Sequence, residues 1–218
     1  MKSTSILQRR TLGRFVIVSA LLLGGAVAFV SSARAADESP DALVKRITSD
    51  VLDTIKADAS IKAGDTRKIM VLVDSKIMPN LDFQRMTSSA VGPAWRQATP
   101  EQQKRLQDEF KLLLVRTYSG ALAQVHDQTV ELKPMRNAPT DTEVVVRTEV
   151  KGRGDPIQLD YRLEQTPGGW KIYDVNVLGV WLVESYRNMF SQEISASGID
   201  GLITKLAARN KSAGAVKS

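Results

Sequence analysis

Apolar residues along the chain recur with two different periods. From about Pro40 to Ala123 they return every three or four positions, which is typical of amphipathic helices. From about Val130 to Val177 they alternate with polar residues, which is typical of antiparallel strands with one buried face. After Val180 the helical period returns. Helices, four strands and helices in this order predict an α+β fold, in which helices cover one face of a twisted antiparallel sheet.

The first helix is marked at its start by Ser39, a typical N-cap residue, and by Pro40 at the first helical position. Its apolar residues occupy every fourth position: Leu43, Ile47, Val51 and Ile55. Gly64 then interrupts the chain. A second helix is predicted from Arg67 to Met78, where Pro79 stops it.

A short third helix is predicted between Leu81 and Val91, with Phe83 and Met86 on one side. The fourth helix has the clearest start, because the segment Thr99–Gln102 combines an N-cap, a proline and a glutamine in the pattern of a capping box. We expect this helix to run to about Ala123, with apolar and aromatic residues at the helical period: Leu106, Phe110, Leu113, Leu114 and Tyr118.

The alternating segment divides into four strands. In the first three, one parity is apolar: Val130 and Leu132, then Val144, Val146 and Val150, then Ile157, Leu159, Tyr161 and Leu163. In the fourth strand, apolar and aromatic residues occur at both parities. Trp170 and Ile172 lie at even positions, whereas Tyr173, Val175 and Val177 lie at odd positions. Either both faces of this strand are covered or a β-bulge re-aims it. Two final helices are predicted, from Val180 to Ser195 and from Ile199 to Ala208, with Gly198 between them.

The first 35 residues resemble a secretion signal. Basic residues precede an apolar run from Phe15 to Val30, and Ala33–Arg34–Ala35 is typical of a cleavage site. The apolar run is shorter than the roughly 20 residues that a spanning helix needs. We therefore expect cleavage after Ala35, one domain over residues 36–210 and a disordered tail over residues 211–218. The pair Arg9–Arg10 leaves both Sec and twin-arginine export open.

Removal of the leader changes the charge of the protein. Five basic residues and no acidic residue leave with it, so 30 basic and 24 acidic residues become 25 and 24. The mature chain is nearly neutral, which argues against a nucleic-acid partner. The sequence contains no cysteine, which excludes a disulfide framework, thiolate metal sites and cysteine nucleophiles.

Few residues have the pattern of a catalytic site. His126, the only histidine, is predicted to be a solvated loop residue, and one histidine without cysteine argues against a zinc site. Parity assigns Asp160 to the solvent face and Asp174 to a partly buried position. One hypothesis is an enzyme or small-ligand binder that uses Asp174 with Tyr161 or Tyr173. Cross-strand ion pairs are expected on the outer face: Arg147 and Arg162 with Glu149, Asp160 and Glu164.

The sequence offers more candidate residues for an apolar binding site than for a catalytic site. Fourteen residues are predicted to point between the helices and the sheet, and they are the candidates for binding an apolar ligand: Leu72, Ile77, Phe83, Met86, Trp95, Phe110, Leu114, Tyr118, Val146, Tyr161, Val177, Trp181, Tyr186 and Phe190. Periodicity does not distinguish a filled core from an open cavity. From these residues alone, both interpretations stay open.

Five segments carry a family resemblance: Pro79–Met86 (PNLDFQRM), Trp95–Gln102 (WRQATPEQ), Leu112–Ala123 (LLLVRTYSGALA), Asp160–Phe190 and Gly198–Leu206 (GIDGLITKL). Together they resemble the MlaC family, the periplasmic phospholipid-binding proteins, of the toluene-tolerance type, in the Mla lipid-transport pathway. The segments cover most of the mature chain in the family's order. One departure is Trp181, where we expect a smaller residue in many relatives and where a tryptophan narrows the predicted cavity.

The resemblance implies an NTF2-like or cystatin-like cone with an apolar cavity. It implies a monomeric periplasmic carrier rather than an enzyme, with a phospholipid as cargo and no cofactor. It also implies two docking partners, an outer-membrane lipoprotein and porin complex and an inner-membrane ABC transporter with an MCE-domain subunit. Such a carrier shuttles phospholipid between them and maintains the lipid asymmetry of the outer membrane.

Overall fold

A computed structural model describes residues 38–138 and 140–215 of the chain. The predicted leader, residues 1–35, lies outside the described residues, as do residues 216–218. Within the described ranges, no helix combines the length and the apolar composition needed to cross a membrane.

From residue 38 onward, five α-helices precede the sheet: α1 (Pro40–Ala57), α2 (Ala59–Lys62), α3 (Thr66–Leu72), α4 (Phe83–Val91) and α5 (Pro100–Ala123). The predicted second helix is divided into pieces, because α3 passes into a π-helical turn, Val73–Ile77, and then a 3-10 turn, Met78–Asn80. A second 3-10 turn, Gly92–Gln97, links α4 to α5. α2 was not expected from the sequence.

The predicted capping box at the start of α5 is confirmed. The Thr99 hydroxyl accepts from the backbone N–H of Gln102 at 3.2 Å, and the Thr99 N–H donates to the Gln102 side chain at 2.9 Å. Two N–H groups that have no partner within the helix are thereby satisfied. The helix runs to Ala123, as its sequence predicted.

The sheet contains β1 (Thr129–Leu132), β2 (Glu143–Lys151), β3 (Ile157–Thr166), β4 (Gly169–Val177) and β5 (Val180–Trp181), in that spatial order and with every neighbouring pair antiparallel. The predicted α+β class is confirmed, with five strands in place of four. The extra strand arises because Trp181 pairs with Asn176 and Val180 with Val177, so the chain turns back on β4 before the last helix begins.

A β-bulge, one of the two explanations left open for the mixed parity of the fourth strand, lies in β4. Leu163 pairs with Ile172, whereas the preceding residue of β3, Arg162, pairs with Asp174, so Tyr173 is the extra residue. A bulge reverses the alternation of side chains beyond it. Val175 and Val177 therefore share the face of Tyr161, their neighbour on β3, and Asp174 lies on the opposite face with Arg162. We call the face that carries Tyr161 the inner face and the other the outer face.

The last helix, α6 (Leu182–Ala215), breaks at Gly198, as predicted. Its backbone there has φ 71° and ψ −173°, a conformation that glycine adopts without the steric penalty of a Cβ. The break lets Phe190 before it and Leu202 after it enter one apolar cluster with Phe110. The helix extends to Ala215, so residues 211–215 of the predicted tail are helical.

Replacement of Gly198 by alanine is expected to lower the free energy of unfolding by about 1–3 kcal/mol, because the added side chain is strained at this φ and ψ. The new Cβ meets no atom within 4 Å, so the effect comes from the backbone alone. The control is Gly120→Ala in α5, where a Cβ also meets no atom within 4 Å and the conformation is helical. That control is expected to be neutral or to add up to about 1 kcal/mol. Equal urea-unfolding midpoints for the two variants would contradict the argument.

Candidate binding site between the sheet and the helices

Three apolar clusters fill the space between the helices and the inner face. The aromatic cluster joins α4, α5 and α6 and includes Phe83, Met86, Phe110, Tyr186 and Phe190. The α1 cluster packs that helix on the sheet through Leu43, Val44, Ile47, Val144, Val146, Leu163 and Ile172. The α3 cluster packs α1, α2, α3 and α5 together through Leu52, Ile55, Ile61, Ile69, Leu72, Val115 and Val125.

Half of the fourteen candidate residues are buried inside these clusters: Leu72, Phe83, Met86, Phe110, Val146, Tyr186 and Phe190. Phe110 is the centre of the aromatic cluster, with ring centroids 5.8 Å from Phe83, 5.0 Å from Tyr186 and 5.2 Å from Phe190. These are distances of direct aromatic packing. Because the rings fill the space between them, this group forms a core.

A second group of candidates is apolar but keeps accessible surface. Leu114 and Tyr118 of α5 pack against the aromatic cluster from the helix side, and Val177 packs against it from the sheet. Burial raises the pKa of the Tyr118 phenol, and the neighbouring Tyr186 adds to this effect. These side chains lie at the boundary of the core and not at its centre.

Three further residues join one cluster to the next, and they were absent from the predicted set. Leu81 and Val175 each contact the aromatic cluster and the α1 cluster, and Val51 contacts the α1 and α3 clusters. All three keep accessible surface. The parity of Val175, which it shares with Val177, was the sequence signal that pointed to it. We call the partly accessible set the seam: Val51, Leu81, Leu114, Tyr118, Tyr161, Val175 and Val177.

Tyr161 lies on the inner face and packs against the α1 cluster. Burial raises the pKa of its phenol, although hydrogen bonds with the side chains of Thr48 and Thr148 act in the opposite direction. Its side chain nevertheless keeps accessible surface. The two threonines satisfy its hydroxyl group.

Three candidates lie apart from the seam. Trp181 is on the outer face, with its ring 3.8 Å from the Arg162 guanidinium, because β5 pairs it with Asn176. The expectation that Trp181 narrows the inner cavity is therefore wrong. Trp95 contacts the edge of the aromatic cluster and lines a separate surface pocket of about 340 Å³ beside Ser88. Ile77, in the π-helical turn, is partly accessible and belongs to none of the three clusters.

Asp174 holds the sheet to the last helix. One carboxylate oxygen accepts from the N–H groups of Val183 at 3.0 Å and Val175 at 2.9 Å, and the other accepts from Arg162 at 3.1 Å. The residue is 1% exposed. Burial raises the pKa of its carboxyl group, although the hydrogen bonds from the three donors act to lower it. Since Tyr161 points to the inner face and Asp174 to the outer face, the two cannot act as a pair.

The solvent-face assignment of Asp160 is wrong. Its residue surface is only 6% exposed, and one oxygen accepts from Gln158 at 2.9 Å. The expected ion pairs of the outer face form with other partners: Arg162 pairs with Asp174, and Glu164 pairs with Arg85 of α4. Burial of Asp160 depends on contacts beyond its own strand, which the parity of residues along that strand does not reveal.

The described residues contain no group of histidine, cysteine, aspartate and glutamate side chains placed to hold a metal ion. His126 is exposed in the turn between α5 and β1. The arrangement that the structure brings together between helices and sheet is apolar.

Comparison with known proteins gives consistent matches. The sequence model of the family described as MlaC protein matches residues 45–208. The toluene tolerance protein ttg2D of Pseudomonas putida is 26% identical over 167 residues, which cover 76% of this chain and 77% of that protein. The intermembrane phospholipid transport system binding protein MlaC of Haemophilus influenzae is 23% identical over 175 residues, covering 78% and 82% respectively.

A solved structure also matches over nearly its whole length. It is the phospholipid-binding protein from Ralstonia solanacearum, in complex with a phospholipid. Its sequence is 50% identical to this chain, and the TM-score is 0.79 over 82% of this chain and 99% of the solved one.

The distinction between core and seam predicts different costs for two truncations. Phe110→Ala is expected to lower the free energy of unfolding by about 3–5 kcal/mol, because it empties the centre of the aromatic cluster. Leu114→Ala, one helical turn along α5, is expected to cost below about 2 kcal/mol, because that side chain already borders accessible space. Urea unfolding followed by circular dichroism measures both. A Leu114 variant as unstable as the Phe110 variant would place Leu114 in the core.

Proposed function

The chain belongs to the MlaC family, and we propose that it is a phospholipid carrier that holds the acyl chains of its cargo along the seam. The observation that supports this most is the Ralstonia solanacearum phospholipid-binding protein, whose structure contains a phospholipid and whose sequence is 50% identical. At that identity and a TM-score of 0.79, the same kind of ligand is the simplest expectation for this chain.

The seam supplies apolar surface from both sides. Leu114 and Tyr118 come from α5, and Val175 and Val177 come from the sheet. Apolar surface that stays accessible inside a protein is unfavourable when water fills the space and favourable when a hydrocarbon does. Because the Tyr161 hydroxyl already has threonine partners, an acyl chain there leaves no new polar group without a hydrogen bond.

The energetics of such a cargo constrain the mechanism. Burial of about 30 methylene groups stabilises the bound lipid by on the order of 25 kcal/mol relative to water. A phospholipid, however, starts in a bilayer, where its chains are already out of water. The carrier therefore gains little by extracting it, and loading and release depend on partners that connect the seam to a membrane.

We further propose that this exchange takes place in the periplasm, after cleavage of the predicted leader. The proposed partners are an outer-membrane lipoprotein and porin complex on one side and an inner-membrane ABC transporter with an MCE-domain subunit on the other. In this assignment the protein shuttles phospholipid between them and maintains outer-membrane lipid asymmetry. The names of the two relatives, one of an intermembrane transport system and one of toluene tolerance, support the assignment.

The first test is lipid content. The purified protein is expected to carry about one phospholipid per chain with mixed headgroups, and Val177→Glu is expected to lose it, because an unpaired carboxylate on the seam excludes hydrocarbon. The control Val71→Glu makes the same change on α3 at a side chain that is 64% exposed, and it should retain the lipid. Chloroform extraction with mass spectrometry measures the content, and circular dichroism checks the fold. A folded Val177→Glu protein with normal lipid content would remove that residue from the site.

The alternative function, an enzyme that uses Asp174, has a separate test. Asp174→Asn is expected to destabilise the protein by about 1–3 kcal/mol, because the charged bond to Arg162 is lost. Lipid content and outer-membrane integrity in cells should stay near those of the wild type, since Asp174 lies on the face opposite the seam. A folded, lipid-loaded variant that has lost its function in cells would instead point to a reaction.

A further inference from the structure

The outer face of the sheet carries a concave site of its own. After β1 ends at Leu132, residues 133–138 turn back toward β2 along the edge of the sheet. The backbone N–H of Lys133 donates to Arg147 at 2.9 Å, and Thr142 accepts from the N–H of Gln165 at 2.8 Å, so both ends of the connection are tied to the sheet. Between this connection and the outer face lies a pocket of about 390 Å³.

Three arginines line this pocket: Arg136 from the connection, Arg147 from β2 and Arg162 from β3. We call it the arginine pocket. Val146 and Tyr161, which precede Arg147 and Arg162 in the sequence, pack in the α1 cluster on the inner face. Because side chains alternate between the two faces along a strand, Arg147 and Arg162 point to the outer face. Arg147 and Arg162 therefore lie across the sheet from the seam, whereas Met135 and Val144, which also line the pocket, contact or belong to the α1 cluster.

The carboxylates that line the pocket are already engaged by other donors. Glu143 accepts from Arg85 at 2.7 Å and from the Tyr173 hydroxyl at 3.2 Å, and the Arg85 bond lowers its pKa. Asp141 accepts from the backbone N–H of Ala138 at 2.8 Å. Neither carboxylate forms an ion pair with the three arginines of the pocket among the described residues, although the positive charge of Arg162 adds to the lowering of the Glu143 pKa.

The guanidinium groups of the pocket, in contrast, have N–H donors that bond to no described residue. The side chains of Arg136 and Arg147 form no hydrogen bond or ion pair with any described residue, although Arg147 lies opposite Asp160 in the strand register. Arg162 is held in place by its bond to Asp174 and by the Trp181 ring, and it uses one nitrogen for that bond. An arginine oriented in this way presents its remaining N–H groups without further loss of side-chain freedom.

We propose that the arginine pocket binds a tetrahedral phosphate group. Planar guanidinium groups with several N–H donors match phosphate oxygens, and two such groups without a carboxylate partner leave positive charge to be neutralised. The phosphate belongs either to free inorganic phosphate or to an anionic lipid headgroup at a membrane surface. This site goes beyond the carrier function, because it lies on the face of the sheet that does not contact the cargo.

The test titrates inorganic phosphate into the purified protein, with amide chemical shifts as the readout. We expect shifts in Arg136, Arg147 and Tyr173, and an affinity that falls as salt is added. Arg136→Ala and Arg147→Ala should each weaken binding about tenfold, as the loss of a charge-assisted hydrogen bond predicts. The matched control is Arg105→Ala, which removes an exposed arginine of α5 that likewise has no partner among the described residues but lines neither pocket described here.

Vesicles distinguish the two sources of phosphate. Binding to phosphatidylglycerol vesicles but not to phosphatidylcholine vesicles, with competition by inorganic phosphate, would identify the headgroup. Phosphate binding without vesicle binding would identify the free ion. The proposal is overturned if inorganic phosphate causes no shifts in the pocket, as expected if Arg147 pairs with Asp160 in solution, or if Arg105→Ala weakens binding as much as the pocket variants do. All variants should retain their phospholipid content, because they lie across the sheet from the seam.

Discussion

The connection between Asp174 and the start of α6 is the interaction on which the rest of the structure depends. The bulge at Tyr173 moves Asp174 to the outer face, where its carboxylate accepts from Arg162 and from the N–H of Val183 in the first turn of α6. A carboxylate at a helix N-terminus satisfies free N–H groups and interacts favourably with the helix dipole. The bond fixes where α6 leaves the sheet. Since Tyr186 and Phe190 follow within two turns, it also fixes where the aromatic cluster forms.

The bulge has a second consequence on the inner face. By shifting the alternation of β4, it turns Val175 and Val177 toward the helices, beside Tyr161 of the neighbouring strand. Without it, Asp174 would occupy that face, and a buried carboxylate would border the seam. A single extra residue thus separates the molecule into an apolar side, suited to hydrocarbon, and a polar side that holds its ion pairs and the arginine pocket.

The apolar interior contains two groups of residues with different roles, the aromatic cluster and the seam. The aromatic cluster around Phe110 is filled by its own rings and supplies stability. The seam consists of residues that contact one or two clusters but keep accessible surface. The proposed carrier function needs both, because an interior closed everywhere has no room for an acyl chain, and an interior open everywhere cannot hold the fold together without one.

Local signals in the sequence determined much of this architecture. The capping box of Thr99 and Gln102, the break at Gly198 and the change of apolar period after α5 each act over a few residues, and the structure confirms all three. The sequence also raised the bulge in β4 as one of two explanations for its mixed parity. Tertiary structure alone decided which apolar residues are core and which line the seam, since Phe110 and Leu114 have the same periodicity and differ only in what packs against them. It also decided that Trp181 lies on the outer face and that Asp160 is buried there, because the pairing of β5 with β4 and the contact of Trp181 with Arg162 do not follow from the alternation within one strand.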